Sequence, residues 1–176
     1  EDDPREFGVP ELYTTDGSAN YMWFQTLWYH LSPRGTAGVV MANGAMTSGT
    51  AGEKIVREHM ITNGMVDCIV QMPDKLFLTT GIPACIFILS KNRDGKDGLH
   101  RERKKEILFI DARKLGQMVN RRLRVFEDAD LARIAETYHG WRNKKGKYED
   151  VEGFCKSATL DEVQLNNYVL SPGRYV

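Results

Sequence analysis

Four short apolar runs constrain the fold of this 176-residue chain more than any other feature. They are TAGVVMAN (36–43), VDCIVQM (66–72), ACIFILS (84–90) and EILFIDA (106–112). Each has the length and continuous apolar character of a strand, and the first is typical of a strand covered on both faces. Helical spacing of apolar residues at 18–31 and 51–62 precedes the first two runs, with Ser18 as a candidate cap. This order predicts a parallel αβ unit with a right-handed crossover.

The loop between the second and third runs is unusual for a hairpin. Its shortness predicts that the third run lies antiparallel to its neighbour, which makes the sheet mixed. However, the loop reads PDKLFLTTGIP (73–83), whereas hairpin turns normally use about two to five polar residues. Ligands of open α/β sheets bind beyond the carboxyl ends of the parallel strands, so this loop and NGAMTSGTAG (43–52) are the candidate binding segments. The residues alone favour core packing for Phe77.

Two more helices are predicted in the second half of the chain, at 126–142 and near 160–167, the latter followed by an extended end. Helical periodicity also predicts which side chains face the core. These are Ile55, Val56, His59 and Met60 in the helix at 51–62, and Leu131, Ile134, Ala135 and Tyr138 in the helix at 126–142.

The composition is that of a soluble globular domain, with 41% hydrophobic and 27% charged residues. No run reaches the ~18 apolar residues of a membrane span, and the acidic start EDDPREFG does not resemble a signal peptide, so we expect a cytoplasmic protein. The three cysteines lack metal-ligand spacing and are interpreted as reduced core thiols. None of the four histidines is paired at such a spacing, so we expect no metal site and no complete catalytic constellation.

Charge is unevenly distributed, although the net charge is zero. Residues 1–90 carry 5 Lys and Arg against 10 Asp and Glu, and residues 91–176 carry 19 against 14. The basic residues form the clusters RERKK (101–105), RRLR (121–124) and RNKKGK (142–147). Each cluster alone is typical of a solvated surface, but together they permit a polyanionic partner.

Six collinear segments carry a resemblance to a known family. They are ANYMWFQTLWYHLSPRGTAGVVMANGAMTSGTAGEKIVREHMI, LFLTTGIPACIFILSKNR, ILFIDARKLGQMV, TYHGWR, FCKSATLDEV and LSPGRYV. In this order they resemble the modification (M) subunit of type I restriction-modification systems, an adenine-N6 DNA methyltransferase, and the resemblance extends from about residue 4 to residue 176. The matched part is similar to the later, C-terminal half of the methyltransferase domain.

The resemblance implies an α/β fold of the S-adenosylmethionine-dependent methyltransferase type, with a mixed sheet that contains an antiparallel strand. It also implies methyl transfer from S-adenosylmethionine to the N6 of adenine in duplex DNA, with the specificity (S) and restriction (R) subunits as partners. The Gly-rich cofactor loop and the tetrapeptide NPPF or NPPY of this family do not occur in the 176 residues, so we expect no catalytic residue here. Within a partial methyltransferase domain at 1–176, we expect an irregular segment (1–18), a sheet with helices (19–112) and a helical extension (113–176).

Site residues are carried over from the family only where its segments match. Phe77 matches the aromatic that packs against the adenine after it is swung out of the helix, and this reverses the preference for core packing. Asn43, Ser48, Thr79, Thr80 and Gly81 are the candidates for contacts to the substrate or to the loop backbone. Arg121, Arg122, Arg124, Lys144 and Lys145 are the candidates for contacts to DNA phosphates. The alternative reading is a non-catalytic truncated module that docks on a specificity subunit or on DNA.

Overall fold

The central feature of the fold is a five-stranded sheet, seen in a computed structural model that describes residues 20–176. The initial segment 1–18 and the cap predicted at Ser18 lie outside these residues. The strands are β1 (Thr36–Ala42), β2 (Val66–Gln71), β3 (Ala84–Ser90), β4 (Glu106–Asp111), β5 (Gln117–Met118), β6 (Arg124–Val125) and β7 (Cys155–Thr159). The helices are α1 (Asn20–His30), α2 (Ala51–Thr62), α3 (Asp128–Arg142) and α4 (Leu160–Leu165), with 3-10 turns at Asn43–Met46 and Pro172–Arg174.

The strand order in the sheet is β1-β3-β2-β4-β7, and β5 and β6 form a separate small hairpin. β3 is antiparallel to both β1 and β2, and β2 pairs with β4 in parallel. The mixed sheet with an antiparallel strand is therefore confirmed. β1 and β2 do run in the same direction, as predicted, but β3 lies between them. The register aligns Met41, Cys85, Gln71 and Asp111 across four strands. The C-terminal ends of β1, β2 and β4 therefore lie along one side of the sheet. This side is called here the carboxyl edge, and it is distinct from the lateral edge that β1 forms.

The first strand departs from its prediction. β1 is an edge strand whose residues alternate between exposed and half-buried, and Val40 is 59% exposed. The expectation of cover on both faces is wrong, because Val39 and Met41 pack against the core on one face, whereas the residues of the other face, including Val40, are exposed. β2, by contrast, is buried at all six positions, which is what a continuous apolar run predicts for an internal strand.

The helices cover the two faces of the sheet. On one face α1, α2 and the C-terminal tail pack around Phe24, Phe87 and Phe109, and Tyr175 stacks on Phe109 with ring centroids 3.9 Å apart. On the other face Tyr138 and Trp141 of α3 pack on β2 and β4. These contacts show that both surfaces of the central strands are covered.

Two helices are rotated from the orientation that their apolar spacing predicts. Val56 and Met60 are buried as expected, but Ile55 is 43% exposed and the Arg57 side chain is buried in its place. In α3 the prediction for Leu131 and Ala135 is wrong, because both are exposed. Arg57 points inward because the carbonyl oxygens of Tyr168 and Ser48 accept hydrogen bonds from its guanidinium, a compensation that the apolar spacing cannot predict.

A buried charge network fixes α3 and the segment 91–105 to β2. Asp67, 0% exposed, accepts hydrogen bonds from Arg103 Nε (2.9 Å), Arg103 Nη2 (3.0 Å) and Tyr138 Oη (2.7 Å). Arg93 Nε forms an ion pair with Asp67 at 3.0 Å without hydrogen-bond geometry. The remaining Arg93 donors bond to backbone carbonyls, among them Gly64 (2.7 Å). Burial lowers the pKa of Arg93 to about 10, and the neighbouring Asp67 carboxylate opposes that shift.

The three cysteines are buried and unpaired, as expected of core thiols. Burial raises the pKa of the Cys85 thiol to about 12, far from the thiolate form that a nucleophile or metal ligand requires. Within residues 20–176, no helix is long and apolar enough to cross a membrane, and no group of three or more His, Cys, Asp or Glu is arranged to hold a metal ion.

Candidate functional site

The 72–83 loop joins β2 to β3 at the carboxyl edge and exposes large apolar side chains. Phe77 is 44% exposed, Leu78 is 85% exposed and Ile82 is 64% exposed. Phe77 belongs to neither of the two core clusters, so the core packing that the residues alone favoured is not what the fold shows. An aromatic ring at this edge is available to a flat ligand.

Local hydrogen bonds give the loop a defined shape. Met72 N donates to Ala84 O at 2.9 Å where the strands open, and Phe77 and Thr80 form an isolated antiparallel bridge. The Thr80 hydroxyl accepts from Ile82 N at 3.1 Å. Lys75 adopts a left-handed backbone with φ of 62°, which turns the chain before Phe77. The aromatic ring is therefore presented by a tight turn.

The β5–β6 hairpin stands beside this loop and presents two arginines. Its tip closes through Val119 N donating to Leu123 O at 2.9 Å. The Asn120 side chain accepts from the backbone N–H groups of Arg122 (2.8 Å) and Leu123 (3.0 Å). Arg121 and Arg122 are both exposed at this tip. The hairpin contacts the loop through Arg124, whose backbone N donates to Lys75 O at 2.8 Å.

The loop and the hairpin together enclose a depression of about 290 Å³. Its lining residues are Lys75, Phe77, Leu78, Thr79, Thr80, Gly81, Arg121 and Arg122. Six of the predicted site residues therefore meet in one place, although the two arginines lie 38 or more positions after the end of the 72–83 loop. An aromatic face, two hydroxyls and cationic groups are the side-chain types that bind the base and the phosphates of a nucleotide.

Asn43 and Ser48 lie at the same edge but do not line the depression. Their turn follows β1 and is held from several sides: Tyr21 Oη donates to Ala45 O, Arg57 Nη1 donates to Ser48 O at 2.9 Å, and Leu170 N donates to Met46 O at 2.9 Å. Desolvation raises the pKa of Tyr21, with Arg57 acting in the opposite direction, so its phenol stays protonated and donating. Among residues 20–176, no hydrogen-bond partner is found for the buried Asn43 Oδ1.

Lys144 and Lys145 lie at the opposite edge of the sheet. The segment 91–105 leaves β3 there, and Lys144 N donates to Leu99 O at 3.0 Å. A second depression of about 490 Å³ is lined there by Gly98, Leu99, His100, Asn143, Lys144 and Lys145. The phosphate candidates are thus divided between two edges, because α3 runs from the hairpin at its start to these lysines at its end.

The ring of His100, near these lysines, is held by three side chains, among them Asn92, whose Nδ2 lies 3.2 Å from His100 Nδ1. Its Nδ1 contacts Asp97, and its Nε2 lies 2.6 Å from Arg142 Nη2. Hydrogen bonds from the His100 backbone N–H and from Asn92 hold the pKa of Asp97 well below its usual range. The contact with Asp97 orders the loop at 97–100, and His100 Nε2 is already occupied as the acceptor of Arg142 Nη2.

Comparison with known proteins shows the family to which the chain belongs. The model of the N-6 DNA methylase family matches residues 2–176. The chain is 47% identical over 176 residues to the HindI type I restriction enzyme methylase subunit of Haemophilus influenzae, covering 99% of the chain and 37% of that protein. It is 35% identical over 178 residues to the MjaIX methylase subunit of Methanocaldococcus jannaschii, covering 99% of the chain and 31% of that protein. The chain thus spans about a third of the length of these relatives.

The same relationship is seen among solved structures. The methyltransferase subunit of a type I restriction-modification system from Streptococcus thermophilus superposes with a TM-score of 0.80 at 27% identity. The match covers 99% of this chain and 33% of that one. Sequence and structure therefore agree over nearly the whole chain, which belongs to the N-6 DNA methylase family.

Proposed function

We propose that this chain forms the part of a type I methylase subunit that receives the target adenine of duplex DNA. The observation that carries the proposal is the exposed Phe77 ring beside Arg121 and Arg122 at the carboxyl edge. Family membership supports adenine as the base that is modified. The whole reaction, in which adenine N6 is methylated within a type I complex, is proposed for a complete subunit that carries this chain.

The residues of the depression have distinct roles in this proposal. A base within a duplex cannot be reached by an enzyme until it is turned out of the stack, which costs a few kcal/mol. Stacking of the extruded adenine on Phe77 offsets part of that cost, by about 1–3 kcal/mol per base. Thr79, Thr80 and Gly81 allow the loop backbone to approach the nucleotide closely, and Arg121 and Arg122 bind the flanking phosphates.

The methyl donor is S-adenosylmethionine in this family, and the described residues do not form a complete site for it. A nucleoside cofactor on an open α/β sheet is generally held by a Gly-rich turn and a carboxylate that bonds to the ribose. At the carboxyl edge, Asp111 is bound by Arg113 at 2.5 Å and Asp74 pairs with Arg124 at 3.5 Å. In the turn after β1, the carbonyl oxygens of Ala45 and Met46 accept hydrogen bonds from Tyr21 and from Leu170 of the C-terminal tail. We therefore derive no methyl-transfer step from residues 20–176.

The partners follow from the same proposal. Binding to DNA would be mostly to the sugar-phosphate backbone, which positions a protein without reading sequence. Lys144 and Lys145 would contact phosphates away from the target base, because they lie at the opposite edge. Specificity and restriction subunits would complete the complex, and we propose the cytoplasm as its location. Asn43, with its unpaired buried amide oxygen, is the proposed contact on the β1 side of the base.

The experiment that tests this function is Phe77→Ala in the complete methylase subunit with its specificity partner. The readout is the fluorescence of 2-aminopurine placed at the target adenine, which increases when the base leaves the stack. We expect the loss of stacking to weaken extrusion about 5- to 150-fold, the equivalent of about 1–3 kcal/mol. Ile82→Ala is the matched control, because Ile82 is an exposed apolar residue of the same loop that does not line the depression.

Two results would contradict the proposal. One is an undiminished fluorescence increase in Phe77→Ala. The other is a loss of unfolding free energy of about 3–5 kcal/mol, the cost of deleting a fully buried Phe, since the 44% exposure of this ring predicts a much smaller loss.

A further inference from the structure

Arg124 differs from the other arginines of the hairpin in what its guanidinium contacts. Arg121 and Arg122 are exposed at the tip, whereas the side chain of Arg124 is only 20% exposed. Its Nη1 donates to the carbonyl oxygens of Leu115 (3.3 Å) and Gly116 (3.1 Å), and its Nη2 lies 3.5 Å from Asp74 Oδ1. Three acceptors of the protein therefore already surround this guanidinium.

These contacts join two segments that are far apart in the sequence. Leu115 and Gly116 lead into the hairpin, and Asp74 lies in the 72–83 loop three positions before Phe77. The backbone N of Arg124 also donates to Lys75 O at 2.8 Å. In the part of the chain that the structure describes, both polar contacts that cross from hairpin to loop come from Arg124. One of them is made by its backbone and one by its side chain.

The chain is tightly constrained at both ends of this bridge. Lys75 and Gly116 have left-handed backbones, with φ of 62° and 79°. A Cβ on Gly116 would lie 2.8 Å from Val125 O and 3.2 Å from Arg124 Cγ. Only glycine therefore allows the two hairpin strands to close around the Arg124 side chain.

We propose that Arg124 is a positioning residue, which sets the basic hairpin tip and the Phe77 loop in one fixed arrangement and makes no contact with DNA phosphates. This inference rests on the proposed function, because the fixed arrangement serves the binding of an extruded base and its flanking phosphate. In this arrangement, Arg121 and Arg122 bind a phosphate and Phe77 stacks on an extruded base. The phosphate and the base then belong to neighbouring nucleotides of one DNA strand. A guanidinium suits this role because its rigid, planar fork of donors holds a carboxylate and carbonyls in fixed directions, whereas the donors of an ammonium group rotate freely.

The test uses Arg124→Met and Asp74→Asn in the complete subunit with its specificity partner. In both variants we expect hydrogen exchange of the loop amides at 75–82 to accelerate about 2- to 5-fold without DNA, the range for an exposed ion pair. Base extrusion, read by 2-aminopurine at the target position, should fall by a similar factor. The slope of log affinity for DNA against log salt should stay unchanged, whereas the loss of a phosphate contact would reduce it by about 1.

Asp74→Asn separates the two roles of Arg124 most sharply, and it replaces a half-exposed side chain that can change without unfolding the protein. A positioning role predicts weaker extrusion in this variant, whereas a phosphate role predicts tighter DNA binding, because a negative charge beside the arginine is removed. Arg101→Met is the matched control. Arg101 likewise binds a carboxylate, Glu106 (2.7 Å), and a carbonyl, Trp141, but at the opposite edge, so extrusion should be unchanged.

The outcomes are distinct. A reduced salt slope in Arg124→Met, or faster and tighter DNA binding in Asp74→Asn, would overturn the positioning role. Normal loop exchange and normal extrusion in both variants would also overturn it. If Phe77→Ala weakens extrusion in the same assay while the Arg124 and Asp74 variants do not, the positioning role fails and the proposed function stands. If Phe77→Ala has no effect, the proposed function fails.

Discussion

Replacing Asp67 by Asn should be the most damaging single isosteric change in the sheet. Asp67 is the only carboxylate in contact with the buried Arg93 and Arg103 among the described residues, and all three side chains are at most 1% exposed. The amide retains the shape but removes the charge, which leaves two buried guanidinium groups uncompensated. Breaking a buried pair in this way costs about 3–5 kcal/mol.

The size of the effect can be separated into its parts. Tyr138→Phe removes only the hydroxyl that donates to Asp67 at 2.7 Å. A hydrogen bond to a charged group contributes about 1.5–3 kcal/mol, so this variant should lose less stability than Asp67→Asn. Equilibrium urea unfolding, followed by fluorescence, measures both losses. The slope of free energy against urea should stay constant if the native fold is preserved.

A small effect would refute this reasoning. If Asp67→Asn loses less than about 1.5 kcal/mol, the two arginines are not compensated mainly by the carboxylate. The backbone carbonyls around Arg93 would then hold the surplus charge alone. A loss in Tyr138→Phe as large as that in Asp67→Asn would likewise show that packing of α3, and not charge, dominates the network.

Two further predictions concern the pH dependence of stability and the methylation activity of the chain alone. The hydrogen bond from Arg101 lowers the pKa of Glu106 below its usual value of 4.5, so this pair stabilises the fold above the unfolded pKa and the stabilisation is lost as pH falls through the folded one. Acid unfolding monitored by circular dichroism should therefore begin at higher pH in Glu106→Gln, and an unchanged midpoint would contradict the assignment. For the second prediction, the 176-residue chain incubated with S-adenosylmethionine and DNA should methylate no adenine, whereas a complete subunit with its specificity partner should. Detection of N6-methyladenine with the chain alone would contradict the expectation that this chain is only part of the methyltransferase.

The sequence predicted the internal part of the sheet well and its margins poorly. β2 and β4 are continuous apolar runs covered on both faces, so their burial could be predicted directly from the sequence. β7 was missed because CKSAT is polar and short, and it becomes a strand only by pairing with β4. The β5–β6 hairpin was missed for a similar reason, since strands of two residues carry no periodicity. In both cases tertiary pairing, and not local preference, makes the strand.

The candidate site was predicted residue by residue but not as an arrangement. Phe77 was identified through the family resemblance, whereas the residues alone favoured core packing, and the two tip arginines belong to a basic cluster. Their proximity depends on Arg124 docking on the loop, a contact between distant segments that no spacing reveals. The division of the basic clusters between two edges could not be predicted either, because it depends on the direction of α3.

The place of β3 between β1 and β2 also determines the order in which the sheet can assemble. β2 and β3 are joined by the 72–83 loop and can close as a local hairpin, whereas β1 finds its only described strand partner in β3, with Thr36 beside Ser90 and 54 positions apart. Contacts between distant positions form late because loop closure must be completed first. Within the five-stranded sheet we therefore expect β2 and β3 to pair first, and the loop that presents Phe77 connects that pair. A substitution that stiffens this loop should change the folding rate and, if the proposed function holds, the binding of DNA as well.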